Sequence, residues 1–228
     1  MAGQLDAATE RALIEWIEGR KQAGHVVHGR GYQGETYLYQ DDRRRLIVKV
    51  APGAGVRGFL RRKMLRREYA AYRRLEGFAG SPRCYGLLRD RYLVLDYVAG
   101  VPLRSGEITD RTTFFDTLFQ YVQELHRRGV AHADLKRRDN LLVIDGRLPC
   151  VIDFGAAIVR KPGFAPFNHY LYELARRFDY NAWAKLKYRG NFEDMTPQDR
   201  AYYRRTPIEI VARAIKRSYL SVKRRVAG

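Results

Sequence analysis

Residues 132–140 read His-Ala-Asp-Leu-Lys-Arg-Arg-Asp-Asn and residues 151–155 read Val-Ile-Asp-Phe-Gly, and these two segments concentrate carboxylate, amide and ammonium groups. The first segment follows a predicted helix that ends at Gly129. Transfer of a phosphoryl group to a hydroxyl needs a carboxylate beside the nucleophile, a cation near the transferred group and oxygen ligands for magnesium. The side chains that can supply these groups are Asp134, Lys136, Asn140 and Asp153.

A glycine cluster precedes these segments, with Gly29, Gly31 and Gly34 in a Gly-x-Gly-x-x-Gly pattern. A dinucleotide-binding version of this pattern would open a helix, whereas the residues that follow, Glu-Thr-Tyr-Leu-Tyr, are typical of a strand. We therefore predict a glycine-rich hairpin between strands at 25–28 and 36–40, of the kind that folds over phosphates. For the cluster considered alone, the alternative is an ordinary turn.

Lys49 and Glu68 form a second candidate pair. Lys49 lies in an apolar strand, where alternation places it on the face shared with Ile47. Glu68 lies in the next predicted helix, 58–76, from which it could hold the ammonium toward the α- and β-phosphates of a nucleotide. The alternatives are an edge-strand lysine and a surface ion pair of Glu68 with an arginine such as Arg61.

Hydrophobic periodicity predicts a strand-rich first half and a helix-rich second half. The predicted helices are 6–20, 58–76 and 110–129, with a further start at Thr206, and the predicted strands are 46–50, 84–88, 92–97, 141–144 and 148–152. The expected buried positions of helix 58–76 are Phe59, Leu65, Tyr69, Tyr72 and Leu75. We predict three regions, an N-terminal helix (1–24), a β-rich lobe (25–99) and a lobe with the catalytic loop and helices (100–228).

The chain carries 43 lysine and arginine residues against 25 aspartate and glutamate residues, a net charge of +18. This charge predicts an anionic partner such as a nucleotide, glycolipid or membrane surface, and it does not require nucleic acid. The 46% hydrophobic content is unlike that of a disordered basic tail. Cys84 and Cys150 form neither a disulfide framework nor a C-x-x-C pair, so we expect a reducing compartment. No segment reads as a signal peptide or membrane span, and we expect a soluble or peripheral protein.

The ordered series of glycine cluster, lysine, glutamate, His-x-Asp and Asp-Phe-Gly resembles the protein-kinase-like family over about residues 25–160. The resemblance implies a bilobal α+β kinase fold with a reduced C-terminal helical lobe. It also implies that Leu95 is a gatekeeper residue and that backbone groups of Asp96 and Val98 bind adenine.

The same resemblance implies ATP and Mg²⁺ as cofactors and assigns a role to each polar residue. Lys49, held by Glu68, would fix the α- and β-phosphates, and Asp134 would orient and deprotonate the acceptor hydroxyl. Lys136 would offset charge on the γ-phosphate. The glycine-rich loop of the family matches Gly29, Gly31 and Gly34, and its magnesium ligands match Asn140 and Asp153.

Four departures from the family pattern affect the prediction. The interval from Asp134 to Asn140 is six residues where the family has five, and Asp139 occupies the fifth place. Because Asn140 is followed by Leu-Leu-Val, as the motif expects, we keep it as the metal ligand. Ala133 replaces an arginine that reads activation-loop phosphorylation in many relatives. No Ala-Pro-Glu motif follows Asp153, and the segment after it is shorter than a full helical lobe.

The resemblance leaves the acceptor open between two hydroxyl classes. The basic charge and missing peptide-docking region are similar to the bacterial lipopolysaccharide-core kinases, so the favoured acceptor is a sugar hydroxyl of an anionic glycolipid. Under this hypothesis the protein is cytoplasmic and peripheral at the inner face of the inner membrane. The alternative is a compact Ser/Thr protein kinase similar to the RIO kinases, with a protein acceptor. A third hypothesis is a pseudokinase that binds nucleotide without catalysis.

Overall fold

A five-stranded antiparallel sheet forms the first half of the fold in the computed structural model, which describes residues 5–22, 29–31 and 34–204. The sheet has the strand order β1-β2-β3-β5-β4. The elements of this half are α1 (Ala7–Gln22), β1 (Gly29–Gly31), β2 (Gly34–Gln40), β3 (Arg45–Val50), α2 (Gly55–Arg74), β4 (Cys84–Leu88) and β5 (Tyr92–Asp96).

Strand β3 divides its side chains between the two faces of the sheet. Leu46, Val48 and Val50 are buried in a cluster with Leu13 and Ile17 of α1. The alternate residues of β3 point to the opposite face, toward α2 and the second half of the chain. The predicted orientation of Lys49 is therefore confirmed, and α1 covers the face of the sheet that lies away from it.

Helix α2 begins at Gly55 rather than at residue 58, and its buried face differs from the prediction at one position. Leu65, Tyr72 and Leu75 are buried as expected and Tyr69 is partly buried, but Phe59 is 53% exposed. Gly58, seven residues before Leu65 and therefore on the same helix face, is buried instead. A Cβ atom on Gly58 would lie 2.3 Å from the Gly53 carbonyl oxygen, so the chain packs too closely here for a side chain.

The second half is helical and contains two small sheets, one of two strands and one of three. Its elements are β6 (Val101–Pro102), α3 (Arg111–Arg127), β7 (Val130–Ala131), β8 (Leu141–Ile144), β9 (Leu148–Val151), β10 (Ile158–Val159), α4 (Pro166–Lys187) and α5 (Pro197–Arg200). Helix α3 packs on α4, where the buried Trp183 indole donates a hydrogen bond of 2.8 Å to the Phe115 carbonyl. These packed helices support the loop between β7 and β8, which contains residues 132–140.

The observed elements confirm the α+β class and most predicted boundaries. Strands β4, β5, β8 and β9 fall within one residue of their predicted limits. The predicted strand at 25–28 and the helix start at Thr206 lie outside the described residues. Among the helices that are described, none is both long enough and apolar enough to cross a bilayer.

Asp110 caps α3, which begins one residue after the predicted start at 110. Its side chain accepts hydrogen bonds from the Thr113 backbone N–H (3.0 Å) and from the Thr113 hydroxyl (2.7 Å). We expect Asp110→Ala to lower the free energy of unfolding by about 1 kcal/mol, measured by urea denaturation, because the helix loses its cap. Asp110→Asn, which keeps a capping oxygen, should retain most of the stability. Equal losses in both variants would show that the cap is not the stabilising feature.

Candidate active site

Lys49 joins the sheet, helix α2 and the Asp-Phe-Gly segment at one point. Its ammonium group lies 2.6 Å from the Glu68 carboxylate and 2.9 Å from the Asp153 carboxylate. Burial lowers the pKa of a lysine, but the two carboxylates more than offset it and raise the pKa of Lys49 above its usual value. Lys49 is therefore a fixed cation, and the surface pairing of Glu68 with Arg61 is wrong because Glu68 is fully buried.

The two carboxylates that pair with Lys49 differ in pKa and in solvent exposure. Burial raises the pKa of Glu68, and the negative charge of Asp153 adds to this effect. Burial acts on Asp153 in the same direction, but the charge and hydrogen bond of Lys49 bring its pKa below the usual value. The Asp153 side chain is also 37% exposed, whereas Glu68 has no exposed surface. Asp153 is thus the ionised oxygen donor that remains open to a ligand.

The loop between β7 and β8 brings Asn140 to Asp134. The Asn140 amide nitrogen donates to the Asp134 backbone carbonyl at 3.1 Å and lies 3.5 Å from its carboxylate. Asn140 is buried, and its side-chain oxygen is left for another partner. Asp139 instead forms an ion pair with Arg104 at 3.3 Å. Asn140 rather than Asp139 therefore contacts Asp134, which agrees with the prediction that the extra residue lies within 136–139.

Asp179, a buried aspartate on α4, anchors the loop between β7 and β8. Its two oxygens accept hydrogen bonds of 2.8 Å from the backbone N–H groups of His132 and Ala133. It also lies 3.0 Å from the His126 imidazole on α3. Two backbone donors and one ring donor satisfy a carboxylate that would otherwise be very costly to bury. Asp179 therefore fixes the position of the backbone that carries Asp134.

Two residues of the site adopt left-handed backbone conformations, which are unusual for residues other than glycine. Ala133 has φ +65° and Asp153 has φ +63°. Such conformations persist where the surroundings hold them. Asp179 binds the Ala133 N–H, while the buried Phe154 ring packs against Tyr72 and His132 with ring centroids 5.0 and 4.9 Å apart. The aromatic stack connects α2 to both functional loops.

The glycine cluster forms a hairpin next to Lys49. Gly29 pairs with Thr36 and Gly31 with Gly34, and Thr36 in turn pairs with Lys49 on β3. The glycines themselves form part of the strands, whereas residues 32–33 lie outside the described chain. The hairpin continues the central sheet, and its role in binding phosphates stays a prediction.

The predicted adenine-binding segment follows β5. Leu95 is buried, and the Asp96 backbone N–H donates to the Arg83 carbonyl at 2.8 Å. The Asp96 carboxylate accepts a hydrogen bond from the Tyr85 hydroxyl. The Val98 N–H has no partner within the described part of the chain, so it is available as the donor that the resemblance assigns to adenine.

Lys136 and the segment after Asp153 complete the site. Lys136 lies two residues after Asp134, and its exposed side chain has no ion pair among the described residues. Arg137, which the sequence interpretation passed over, lies 4.0 Å from the Asp134 carboxylate. The chain between Asp153 and α4 contains one helical turn and the short strand β10, which pairs with β7. Only this short connection separates the Asp-Phe-Gly segment from α4.

Sequence reasoning missed Asp179 and His126. Asp179 lies within the helical remainder of the chain, where an aspartate between Phe178 and Tyr180 carries no motif. One weak signal was available: a charged residue at a position of an amphipathic helix that should be buried indicates a specific partner. That partner lies 46 and 47 positions earlier in the chain, a distance that no local pattern reports.

We expect Asp179→Asn to lower the free energy of unfolding by about 2–4 kcal/mol, because an amide NH₂ would face a backbone N–H and leave a buried donor unpaired. Urea denaturation measures this change. Asp42→Asn, in the exposed turn between β2 and β3, makes the same chemical change away from any buried donor and should have little effect. Similar stabilities for wild type and Asp179→Asn would contradict the bridging role.

The lowered pKa of Asp153 predicts a pH dependence. Because its pKa in the folded protein lies below the ordinary value of 3.8, its ionisation favours folding above that pH. The stability of wild type relative to Asp153→Asn should therefore fall as pH drops below about 4. Urea denaturation from pH 3 to pH 7 tests this; a relative stability that rises on acidification would mean that the folded pKa is raised.

The chain is similar in sequence to named protein kinases. No protein-family profile matches the chain. The chain is 33% identical over 179 residues to the CBL-interacting protein kinase 29 of Oryza sativa subsp. japonica, covering 69% of this chain and 39% of that protein. It is 28% identical over 156 residues to the serine/threonine-protein kinase PknD of Chlamydia muridarum, covering 58% of this chain and 16% of that protein. The chain thus spans well under half the length of either relative.

Solved structures with the same architecture include the Rio2 kinase of Chaetomium thermophilum, with a TM-score of 0.57 and 15% identity over 84% of this chain and 67% of that chain. The ADP/Mg²⁺-phosphoaspartate complex of the Rio2 kinase from that organism gives a TM-score of 0.54 and 14% identity over 84% of this chain and 66% of that one. These matches confirm the protein-kinase-like fold predicted from the motifs. The chain thus has a protein-kinase-like fold, and the sequence relatives and the assembled Lys49, Glu68 and Asp153 side chains agree with a kinase-like site.

Proposed function

We propose that this chain is a phosphotransferase that binds ATP with Mg²⁺ and transfers the γ-phosphate to a hydroxyl group. The observation that carries the proposal is the contact of the Lys49 ammonium with both Glu68 and Asp153. A lysine ammonium that is fixed by a buried carboxylate can hold the phosphates of a nucleoside triphosphate. The exposed carboxylate beside it can bind the metal ion. The relatives are named kinases, which supports the same activity.

The side chains fit a magnesium ion. Mg²⁺ is commonly bound by one or two protein oxygen ligands together with substrate phosphates. Asp153 offers an ionised and partly exposed carboxylate, and the Asn140 amide keeps its oxygen while its nitrogen donates to the Asp134 carbonyl. When bound, the metal ion would offset phosphate charge and orient the triphosphate. The Rio2 kinase was solved as an ADP/Mg²⁺-phosphoaspartate complex, which agrees with this proposal.

Asp134 is the residue that acts on the acceptor. Its carboxylate is partly exposed, and the Asn140 amide and the loop backbone fix its position. In this position it orients the acceptor hydroxyl and takes its proton as the new phosphate ester bond forms. Lys136 and Arg137 lie on the same loop, and their positive charges would stabilise negative charge that develops on the transferred phosphoryl group.

The geometry favours an enzyme over a pseudokinase. A pseudokinase needs only to bind nucleotide, and nothing then requires Asp134 to be held beside Asn140. Here Asp179 fixes the Asp134 loop through two backbone hydrogen bonds, although the loop contains an extra residue. The positioned carboxylate therefore supports catalysis.

Two classes of acceptor have support. The named relatives are Ser/Thr kinases in one case and a CBL-interacting protein kinase in the other, which favours a Ser/Thr hydroxyl of a protein. The short connection between Asp153 and α4, which leaves little chain to dock a peptide, favours a sugar hydroxyl of an anionic glycolipid such as lipopolysaccharide core. We propose the protein acceptor first and keep the glycolipid as the second candidate. A cytoplasmic location with peripheral contact to an anionic membrane belongs to that second candidate.

Radiolabel transfer from γ-labelled ATP distinguishes the acceptors. Purified chain with Mg²⁺ should label serine or threonine in a generic protein substrate or in a cell protein fraction, and Asp134→Asn should lower the rate by about 10²–10⁴-fold. Labelling of lipopolysaccharide core at low salt, without protein labelling, would instead support the second candidate. Absence of transfer to either class, with ATP binding intact, would favour the pseudokinase hypothesis.

The position of the metal ligand gives a further prediction. We expect Asn140→Ala to lower the transfer rate about a hundredfold and to raise the Mg²⁺ concentration required for half-maximal rate, because a metal ligand is lost. Asp139→Ala is the matched control, since it removes only an exposed ion pair with Arg104. A larger loss of activity in a folded Asp139→Ala protein would show that the carboxylate is the ligand.

A further inference from the structure

A basic cavity of about 630 Å³ lies between the end of α3, the segment after β10, and α4. None of the proposed catalytic or nucleotide-binding residues lines it. The cavity contains six cationic side chains, Arg74, Arg127, Arg128, Arg160, Lys161 and Arg176. Of the described residues that line it, Glu173 alone carries a carboxylate. A cavity of this size can hold a small organic ligand, and its charge selects an anion.

Three of the six cations already have anionic partners. Arg127 and Arg128 pair with Glu124 at 2.7 and 2.6 Å, and Arg176 pairs with Glu173 at 2.9 Å. The remaining cations, Arg74, Arg160 and Lys161, make no ion pair with any residue that the structure describes. Their three positive charges are therefore available to a ligand.

Two of the unpaired cations, Arg74 and Arg160, come from separate elements and both lie close to Gly129. A Cβ atom on Gly129 would lie 3.8 Å from an Arg74 guanidinium nitrogen and 3.6 Å from the Arg160 Cβ. Arg74 ends α2, whereas Arg160 directly follows β10. An anion in the cavity would therefore meet cations from two separate parts of the chain.

The backbone that carries Arg160 and Lys161 is fixed by hydrogen bonds. The Arg160 N–H donates to the Gly129 carbonyl at 2.8 Å, and the Lys161 N–H donates to the Asn168 side chain at 2.7 Å. The Lys161 carbonyl also lies 2.9 Å from the His169 ring. These contacts hold the segment in place, so a ligand would meet positioned cations rather than a loop that it must order.

The inner wall of the cavity has polar atoms without partners. His126 is buried, and its Nδ1 atom makes no hydrogen bond with any described residue. The Arg176 Nε atom is also buried without a hydrogen-bond partner. The Tyr172 hydroxyl donates to the His126 backbone carbonyl at 2.6 Å, and burial raises its pKa to about 12, so this hydroxyl stays neutral. The Arg176 Nε–H is a donor that a phosphate oxygen could satisfy, whereas His126 Nδ1 is the acceptor nitrogen of a ring that donates to Asp179.

We infer that this cavity is a second anion site, which binds a ligand with two or more phosphate groups. Guanidinium groups match phosphate oxygens in a bidentate geometry, and three unpaired cations call for more charge than one phosphate monoester supplies. The same chemistry is present in soluble polyphosphates or phosphate esters and in the headgroups of an anionic membrane. The site is separate from the proposed nucleotide cleft, although His126 belongs both to its wall and to the support of Asp179.

Titration with inorganic tripolyphosphate tests the site. The cavity variant carries Arg74→Gln, Arg160→Gln and Lys161→Gln, and the matched control variant carries Arg43→Gln, Arg57→Gln and Arg177→Gln, which remove equal charge at exposed positions outside the cavity. The cavity variant should bind tripolyphosphate about tenfold more weakly than the control, because charge-assisted contacts are lost. Because the replaced residues are exposed and unpaired, both variants should keep the urea midpoint of wild type. Equal affinities in the two variants would overturn the inference.

A third variant separates this site from the nucleotide cleft. The double variant Lys49→Met/Glu68→Gln removes the cation proposed to bind ATP phosphates together with the buried carboxylate that it neutralises, so no unpaired buried charge is left near α2. It should leave the tripolyphosphate affinity of the cavity unchanged. If the double variant weakens tripolyphosphate binding and the cavity variant does not, the anion binds in the cleft; the cavity inference is then wrong while the proposed function stands. If the double variant has no effect on ATP binding, the proposed function fails independently of the cavity.

Vesicles identify the source of the phosphate groups. Sedimentation with phosphatidylglycerol vesicles, with phosphatidylcholine vesicles as the neutral control, is compared for the cavity and control variants. Weaker vesicle binding of the cavity variant supports the site and assigns it to lipid headgroups. Equal vesicle binding of the two variants, together with weaker tripolyphosphate binding of the cavity variant, supports the site and assigns it to a soluble ligand.

Discussion

The Lys49 ammonium forms the ion pairs that connect the two halves of the chain. It lies on the central strand of the sheet, and it contacts a glutamate on α2 and the aspartate of the Asp-Phe-Gly segment. A buried carboxylate without a cation would be strongly destabilising, so the position of α2 depends on this contact. The stack of Tyr72, Phe154 and His132 follows the same path from α2 to the catalytic loop. Positioning of a nucleotide and positioning of Asp134 are therefore properties of one connected structure.

The sequence predicts the site around Lys49 because each part of the site has a recognisable local sequence pattern. Alternation on β3 placed Lys49 on the inner face, and the predicted helix placed Glu68 within reach of it. The apolar residues after Asn140 favoured Asn140 as the metal ligand, and the ion pair of Asp139 with Arg104 agrees with that prediction. Short motifs at fixed intervals, with strands and helices between them, also predicted the kinase fold that the solved structures share.

Features that depend on contacts between distant segments were missed or wrong. Asp179 supports the catalytic loop from a helix that carries no motif, and the six cations of the basic cavity come from four separate stretches of chain. Phe59 was expected in the core because it is aromatic, whereas the helix phase set by Leu65 places Gly58 there. The net charge of +18 predicted an anionic partner but not the location of its site.

Calorimetric titration of ATP into wild type and Asp153→Asn, with and without Mg²⁺, tests whether the open carboxylate beside Lys49 binds the metal ion. We expect Mg²⁺ to increase the ATP affinity of wild type and Asp153→Asn to lose this increase, because the variant lacks the proposed metal ligand. An ATP affinity that depends on Mg²⁺ equally in both proteins would contradict the proposed role of Asp153, and an absence of ATP binding by folded wild type would contradict the proposed function.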